Sequence, residues 1–363
     1  MKIAVLISGG VDSSVALRLL KDQGHQLEAF YLKIWLEDEL AFLGTCPWEE
    51  DLAYARAVCE QAGVPLHVVS LQEAYWNIVV KYTIDEVTKG HTPSPDILCN
   101  QHIKFGAFFQ AIDSSFDAIA TGHYAWIEHR DGTCPEEPGR ASRGVAHLMK
   151  AKDPVKDQTY FLSNLSQLQL SRLIFPLGKL TKPEVRALAE KYDFPNKNRK
   201  DSQGICFLGK IKFSDFIRHH AGTKVGDLIE FETGEKIAEH EGFWYYTIGQ
   251  RKGLGLSGGP WFVVKKDPVK NIVYISKNYY TSDKVRNQFD VDSCNWLLDV
   301  PPAKHELQVK VRHGEAFYNA TLDLRDAHSG TVKIDGNDQG LAAGQFAVFY
   351  DGNECLGCGV IAE

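Results

Sequence analysis

Residues 2–14, KIAVLISGGVDSS, restrict what this chain can fold into more than any other stretch. An apolar run over 2–7 breaks at Ser8-Gly9-Gly10. A helical pattern follows at once over 12–23, with Val11, Val15 and Leu19 on one face and Gly24 past its end. A strand that passes into a helix through two glycines is the opening unit of an α/β sheet. Glycines let the backbone approach an anion, the helix start offers unpaired N–H groups, and three serine hydroxyls add donors. A plain turn with serine caps is the alternative. Gly-Gly with three hydroxyls and an acid, Asp12, at one strand end favours an anion site, with Asp12 placed to hold Mg2+ beside phosphates. The Walker spacing is absent, so the anion is a pyrophosphate rather than a transferring terminal phosphate.

Strand patterns over 27–33, 65–70 and 117–121 alternate with helical patterns over 49–62, 72–89 and 101–114. A further helix over 181–192 has Pro183 in its first turn. This alternation predicts a doubly wound, mostly parallel sheet with helices on both faces and ligands beyond the carboxyl ends of its strands. The glycine turn and Gly122-His123 both lie at such ends. Residues 131–144, rich in Gly, Pro, Glu and Arg, read as a surface insertion. After Asp201 the pattern changes to short strands between glycine-rich turns, over 227–232, 244–247, 261–266 and 272–276. Strands over 306–312, 317–323, 331–335, 345–350 and 356–361 then suggest a closed or nearly closed barrel. The expected division is 1–208 catalytic, 209–280 a β-rich central domain and 281–363 a C-terminal β-barrel.

The 363 residues carry a net charge of −7, which excludes a polycation that coats nucleic acid everywhere. Any RNA contact then needs a local patch, and residues 179–218, with ten Lys or Arg against five Asp or Glu, provide one. No apolar run is long enough to span a membrane, and the N-terminal stretch lacks a signal-peptide cleavage site. Cysteines at 46, 59, 99, 134, 206, 294, 355 and 358 do not form a secreted disulfide framework, so a reducing, cytoplasmic setting is expected, or an organelle interior if a transit segment has been removed. Cys355-Leu356-Gly357-Cys358 has no second pair to complete a zinc site and reads as a barrel strand; no stably bound metal is expected. Gly253–Gly258 matches a dinucleotide fingerprint but precedes a strand, which argues against NAD.

The heptapeptide Ser8–Ser14 resembles the PP-loop of the ATP pyrophosphatases. Further blocks occur in order: Thr92–Asn100, Ile103-Lys104-Phe105, Ala120–Tyr124, Lys156-Asp157-Gln158, Asp201–Phe207 and Tyr246–Gly255. Together they resemble the tRNA-specific 2-thiouridylases over essentially the whole chain. The resemblance implies ATP-dependent replacement of oxygen by sulfur at position 2 of the wobble uridine in tRNAs for Lys, Glu and Gln. It implies a persulfide on Cys206 and a partner nucleophile at Cys99, with Asp96 handling the uracil ring proton and Ser94, Pro95 and Asp96 at the target base. It places ATP on Leu6, Ile7, Ser8, Gly9, Gly10, Val11, Asp12 and Ser13, with Leu32 and Gly122 beside the adenosine. It places tRNA on His123, Lys156, Asp157, Gln158, Arg312, His313 and Gln345, with Arg251 and Lys252 joining them. The anticodon arm is the implied RNA element, and a cysteine desulfurase or sulfur-relay protein the implied sulfur source. Four positions depart from the family pattern: Ser94 for Asn, His313 for Tyr, Leu32 for Met, and Leu6 for a small residue.

The residues make chemical sense on that reading. A carbonyl oxygen of uracil leaves poorly until adenylated, and two thiols suffice to deliver sulfur, either by direct persulfide attack or through released hydrogen sulfide. Cys99 is expected to open a helix, with His102 one turn on, which favours thiolate; Cys206 follows Lys197-Asn198-Arg199-Lys200. The other readings are two buried packing thiols, a capping role for Asp96 and a core histidine at 123. For the whole chain the rivals are a PP-loop ligase or amidating enzyme and a non-catalytic RNA-binding protein.

Overall fold

The computed structural model describes residues 1–34, 48–132, 144–201, 212–281 and 286–362. The chain opens with β1 (Lys2–Leu6), α1 (Val11–Asp22), β2 (Gln26–Lys33), α2 (Trp48–Ala62) and β3 (Leu66–Ser70). Next come α3 over 72–89, widened to π geometry at Trp76–Val80, and α4 over 95–111, widened at Cys99–Ala107. Strand β4 (Ala118–Ala120), the hairpin β5 (Ala125–Arg130) and β6 (Val145–Lys150), two short helices α5 (Thr159–Leu162) and α6 (Gln167–Ser171), β7 (Leu173–Ile174) and α7 (Lys182–Lys191) complete this part.

Strands β3-β2-β1-β4-β7 form one parallel sheet in that order. Alternation along β1 explains its two covers. Ile3 and Val5 point into a core shared with Val15 and Leu17 of α1, Val58 of α2 and Val185 of α7. Ala4 and Leu6 face the other core, with Val79 of α3 and Ile103 and Phe108 of α4. The sheet is therefore doubly wound, as the sequence pattern predicts. Strand order reverses between β1 and β4, so the crevice at their carboxyl ends is the natural ligand position.

A β-rich module follows. Helix α8 (Phe213–Ala221) leads into β8 (Gly226–Glu230), β9 (Lys236–His240), β10 (Phe262–Asp267) and β11 (Ile272–Ser276), paired β10-β11-β8-β9. The strand expected over 244–247 is instead a 3-10 turn at Phe243–Tyr245, packed through its aromatic rings on the module core. The last part holds β12 (Gln288–Trp296), β13 (Glu306–Lys310), β14 (Tyr318–Asp326), β15 (Ser329–Ile334), β16 (Phe346–Asp351) and β17 (Glu354–Ile361). These six close into a barrel because β12 pairs with both β15 and β17.

The sequence pattern did not reveal the hairpin β5–β6, which leaves the parallel sheet and extends the barrel sheet through β6 and β17. Beside it, the buried Lys310 ammonium of the barrel lies 3.8 Å from the buried carboxylate of Asp157. Lys150 stands over the Phe317 ring at 3.6 Å. The N-terminal part and the barrel are thus joined by strand hydrogen bonds through the hairpin and by buried charge. Cys355 and Cys358 both lie buried on β17, in keeping with the strand reading. The insertion expected over 131–144 falls almost wholly outside the described residues.

Candidate active site

The glycine turn sits at the carboxyl end of β1. Gly9 has φ +73°, and a side chain there would run into the Asp51 carbonyl. Gly10 precedes α1, with no side chain capping the first-turn N–H groups among the described residues. The serines brace the turn from inside. Ser13 Oγ accepts from the Ser8 N–H at 3.2 Å, and Ser13 and Ser14 each donate to the Gly10 carbonyl at 3.0 Å. The turn is thus held open with uncapped donors facing the crevice, the form an anion site takes.

Gly122, at the end of β4, closes the crevice from the opposite side. A Cβ there would lie 2.8 Å from the Ser13 backbone nitrogen. Gly122→Ala should therefore push the first turn of α1 away and weaken ATP binding at least about tenfold, read by titration with ATP. Unchanged affinity would mean that the nucleotide does not use this crevice.

Asp12 is held by three hydrogen bonds from two groups. Lys182 of α7 places its ammonium 2.6 and 2.8 Å from the two Asp12 oxygens, and Tyr124 donates to Oδ1 at 2.9 Å. The same ammonium is 2.8 Å from Asp201, which also pairs with Lys156 at 2.7 Å and Arg186 at 2.6 Å. Burial alone would raise the Asp201 carboxyl; bonds from Lys156 and Lys182 outweigh it and hold it at about 2. Asn196 donates to the Gly9 carbonyl at 2.8 Å and to Ser14 at 2.9 Å, and Arg199 to Gly9 at 3.1 Å while pairing with Asp51. Residues 196–201 are thereby fastened across the glycine turn.

These partners were not found by sequence reasoning. The basic run over 179–218 read as an RNA patch. In the structure Lys182, Arg186, Lys197, Arg199 and Arg218 are each paired with protein carboxylates. Much of that charge therefore stays inside the protein.

A second group gathers where the loop 91–96 meets the barrel. The Thr92 N–H donates to the Ala343 carbonyl at 2.8 Å, and the Tyr160 hydroxyl, which reaches Ser94, donates to the Phe346 carbonyl at 3.1 Å. His313 stacks near Phe161 with ring centroids 4.5 Å apart. Asp96 Oδ1 and Gln345 Oε1 are buried with no donor among the described residues. An unmet buried acceptor such as Asp96 suits a ligand that brings an N–H group, as the N3–H of a uracil ring does. Arg312 pairs with Asp338 and remains half exposed.

The expected helix over 101–114 begins earlier, at Pro95, whose missing N–H suits a first helical position. Cys99 accordingly lies inside α4 rather than at its start. Its thiol is 1% exposed, and burial pushes it up to about 11, with Lys104 pulling down and Asp96 pushing up. His102 is exposed and does not activate it. The expectation of a thiolate at a helix start is corrected: Cys99 is protonated in this state. Alkylation of Cys99 in the free protein should rise about tenfold per pH unit and still be climbing at pH 9, read by peptide mass spectrometry. A plateau by pH 8 would contradict the burial.

His123 is partly buried at the end of β4. Its Nδ1 is 2.7 Å from Thr121 Oγ1, and the Phe105 and Phe175 rings flank it at 6.0 and 5.9 Å. Burial, then the charge of Lys104, keeps the imidazole neutral well below its ordinary range. Lys104 bears on both His123 and Cys99, which joins the crevice to the second group. Leu6 and Ile7 are buried beneath the glycine turn, and Leu32 lies near the end of β2.

Of the remaining expected residues, Lys156 faces Asp201. Asp157 accepts from Ala151 N–H and Thr159, and Gln158 exchanges bonds with the backbone of Tyr124 at 2.9 Å each way. Burial raises the Cys59 thiol to about 12, Cys294 to about 11 and Cys358 to about 12, consistent with inert packing. Cys206, Cys46 and Cys134 lie outside the described residues. Among the described residues no helix is long and apolar enough to cross a membrane, and no cluster of three His, Cys, Asp or Glu is set for a metal. Both Asp12 oxygens are bonded to the Lys182 ammonium, so Asp12 could ligate an ion carried in with ATP only by giving up that pair.

A parallel sheet with an uncapped glycine turn at its switch point defines a nucleotide-using α/β enzyme class. Family models agree: residues 1–210 match a tRNA methyl transferase HUP domain, 214–277 a tRNA methyl transferase PRC-barrel domain, and 286–361 an aminomethyltransferase β-barrel domain. A protein of Parabacteroides distasonis named tRNA-specific 2-thiouridylase MnmA is 43% identical over 369 residues, covering 100% of this chain and 99% of the relative. Relatives named tRNA-specific 2-thiouridylase MnmA 1 in Bacteroides thetaiotaomicron and MnmA 2 in Bacteroides fragilis are 44% and 45% identical. They cover 100% and 99% of this chain and 100% of each relative. The chain belongs to the tRNA-specific 2-thiouridylase family.

Proposed function

We propose that this protein is an ATP-dependent tRNA sulfurtransferase that converts the wobble uridine of Lys, Glu and Gln tRNAs to 2-thiouridine. The crevice between the uncapped turn after β1 and Gly122 after β4 carries the reading, with the unmet acceptor Asp96, whose charge bears on Cys99, supporting a pyrimidine nearby. The turn and the start of α1 grip ATP, and Asp12, on giving up its pair with Lys182, would hold an Mg2+ ion that would neutralise phosphate charge. Uracil O2 attacks the α-phosphorus, pyrophosphate leaves, and the N3 proton passes to Asp96. A sulfane sulfur carried on Cys206 then attacks C2 and AMP departs. In one route Cys99, after losing its proton, attacks Cys206 Sγ and frees the thiolated base. In the other Cys99 first attacks the persulfide and the released sulfide attacks C2. Both routes leave a Cys99–Cys206 disulfide, which an external thiol reduces. A cysteine desulfurase or relay protein reloads Cys206. Lys156, Asp157, Gln158, His123, Arg312 and His313 line or brace the path of the anticodon arm.

The test is an assay with tRNA transcript, ATP, Mg2+ and a persulfide source, with product nucleosides read by mass spectrometry. 2-Thiouridine with matched AMP and pyrophosphate is expected. A methylated uridine, or AMP formation on a small carboxylic acid without tRNA, would overturn the reading.

A further inference from the structure

The Gly9–Gly10 peptide is the part of the turn least able to hold itself. It is trans, so its carbonyl and its N–H point in opposite directions. With a glycine on each side, no Cβ opposes rotation of the peptide plane. One orientation turns the Gly10 N–H toward the phosphates. The other would turn the Gly9 carbonyl oxygen there and repel them. Something outside the turn must set the orientation.

Asn196 and Arg199 do so. Asn196 Nδ2 donates to the Gly9 carbonyl at 2.8 Å, and Arg199 Nη1 donates to the same oxygen at 3.1 Å. A carbonyl only accepts, which fixes the Asn196 amide with its nitrogen toward the turn. That nitrogen also donates to Ser14 Oγ at 2.9 Å, and Ser14 gives its own proton to the Gly10 carbonyl at 3.0 Å. One amide therefore fixes the first carbonyl directly and the second through Ser14. Asn196 is 1% exposed, so the Gly9 carbonyl points into protein and the Gly10 N–H away from it. That N–H has no acceptor among the described residues.

The segment that carries the clamp is itself held firmly. Phe194 is buried in the core shared with α1, and its carbonyl accepts from the Lys197 N–H at 3.1 Å. The Asn196 carbonyl accepts from the Arg199 N–H at 2.9 Å. Arg186 of α7 donates to the carbonyls of Lys197 and Arg199 at 3.0 and 2.6 Å. Asn196 Oδ1, by contrast, is buried with no donor among the described residues. An unmet buried acceptor costs stability, so packing alone does not account for an amide at this position.

We infer that Asn196, assisted by Arg199, is a positioning residue of the nucleotide site, which holds the Gly9–Gly10 peptide with its N–H toward the phosphates. The inference rests on the ATP reading above and names what sets its phosphate grip. Donors fixed in advance need no reorganisation when the anion arrives.

The test compares the parent with Asn196→Leu, close in size but without a donor, and Asn196→Asp, of the same shape but presenting acceptors. Thermal melting checks that each folds, and titrations use ATP, pyrophosphate and adenosine. Each variant should bind ATP and pyrophosphate about tenfold more weakly or worse, and adenosine within about twofold of the parent. The peptide itself can be watched. Gly9-Gly10 and Gly258-Gly259 are the only Gly-Gly pairs in the sequence, so glycine labelled with carbon-13 at its carbonyl and with nitrogen-15 gives two carbon-coupled amide signals. The Gly10 signal should move when pyrophosphate binds the parent and stay in place in Asn196→Leu at matched occupancy, while the Gly259 signal stays in place in both. Parental pyrophosphate affinity in a folded variant, or an equal loss for adenosine, would overturn the inference. A Gly10 amide in the parent that ignores bound pyrophosphate would overturn it whatever the variants do. A parent that binds neither ATP nor pyrophosphate would instead refute the nucleotide site itself.

Discussion

Cys99→Ser and Cys206→Ser are each expected to lower multiple-turnover thiolation at least about 1000-fold. A hydroxyl can neither carry a sulfane sulfur nor attack one. Serine is close to cysteine in size, so the buried site of Cys99 should keep its packing, and unfolding would not explain the loss. Activation by ATP needs neither thiol. Both variants should therefore release pyrophosphate with bound tRNA while 2-thiouridine fails to accumulate. Parental turnover by either variant, followed by nucleoside mass spectrometry, would refute the two-thiol route.

Lys182→Met should weaken ATP binding about 30- to 100-fold and leave adenosine binding unchanged. The Lys182 side chain is only 13% exposed and its ammonium lies between Asp12 and Asp201. Removing it leaves Asp12 without a cationic partner at the mouth of a site that must accept a polyanion, while Asp201 keeps Lys156 and Arg186. The loss should fall on the phosphate part of the ligand, which adenosine lacks. Lys182→Arg should recover part of the affinity, because a guanidinium can still bridge both acids. Equal losses for ATP and adenosine would mean that Lys182 serves folding rather than the phosphates.

The glycine turn, the parallel sheet and the strand reading of Cys355–Cys358 were legible because each depends on local pattern: hydrophobic period, glycine, and the spacing of turns. Two kinds of feature were not. The hairpin β5–β6 joins the barrel through β17, a pairing of residues some 200 apart that no local period records. The grip of Lys182, Asn196 and Arg199 on the turn is likewise long-range, and in sequence those residues register only as positive charge. Cys99 shows a third difficulty. The proline-rich loop predicts a helix start at residue 101, yet Pro95 itself begins the helix, and this shift moves the thiol from a polar helix end into the core. Lys104, i+5 from Cys99, lies within the same widened segment of α4, a placement visible only once the π geometry is known.

The central claim is that ATP converts the oxygen at position 2 of the wobble uridine into a leaving group. Transcript carrying oxygen-18 at that atom tests it directly, by mass spectrometry of the AMP formed as 2-thiouridine accumulates. The label should appear in AMP, one atom for each thiolated base. Unlabelled AMP, with the heavy oxygen in water or pyrophosphate, would contradict the account.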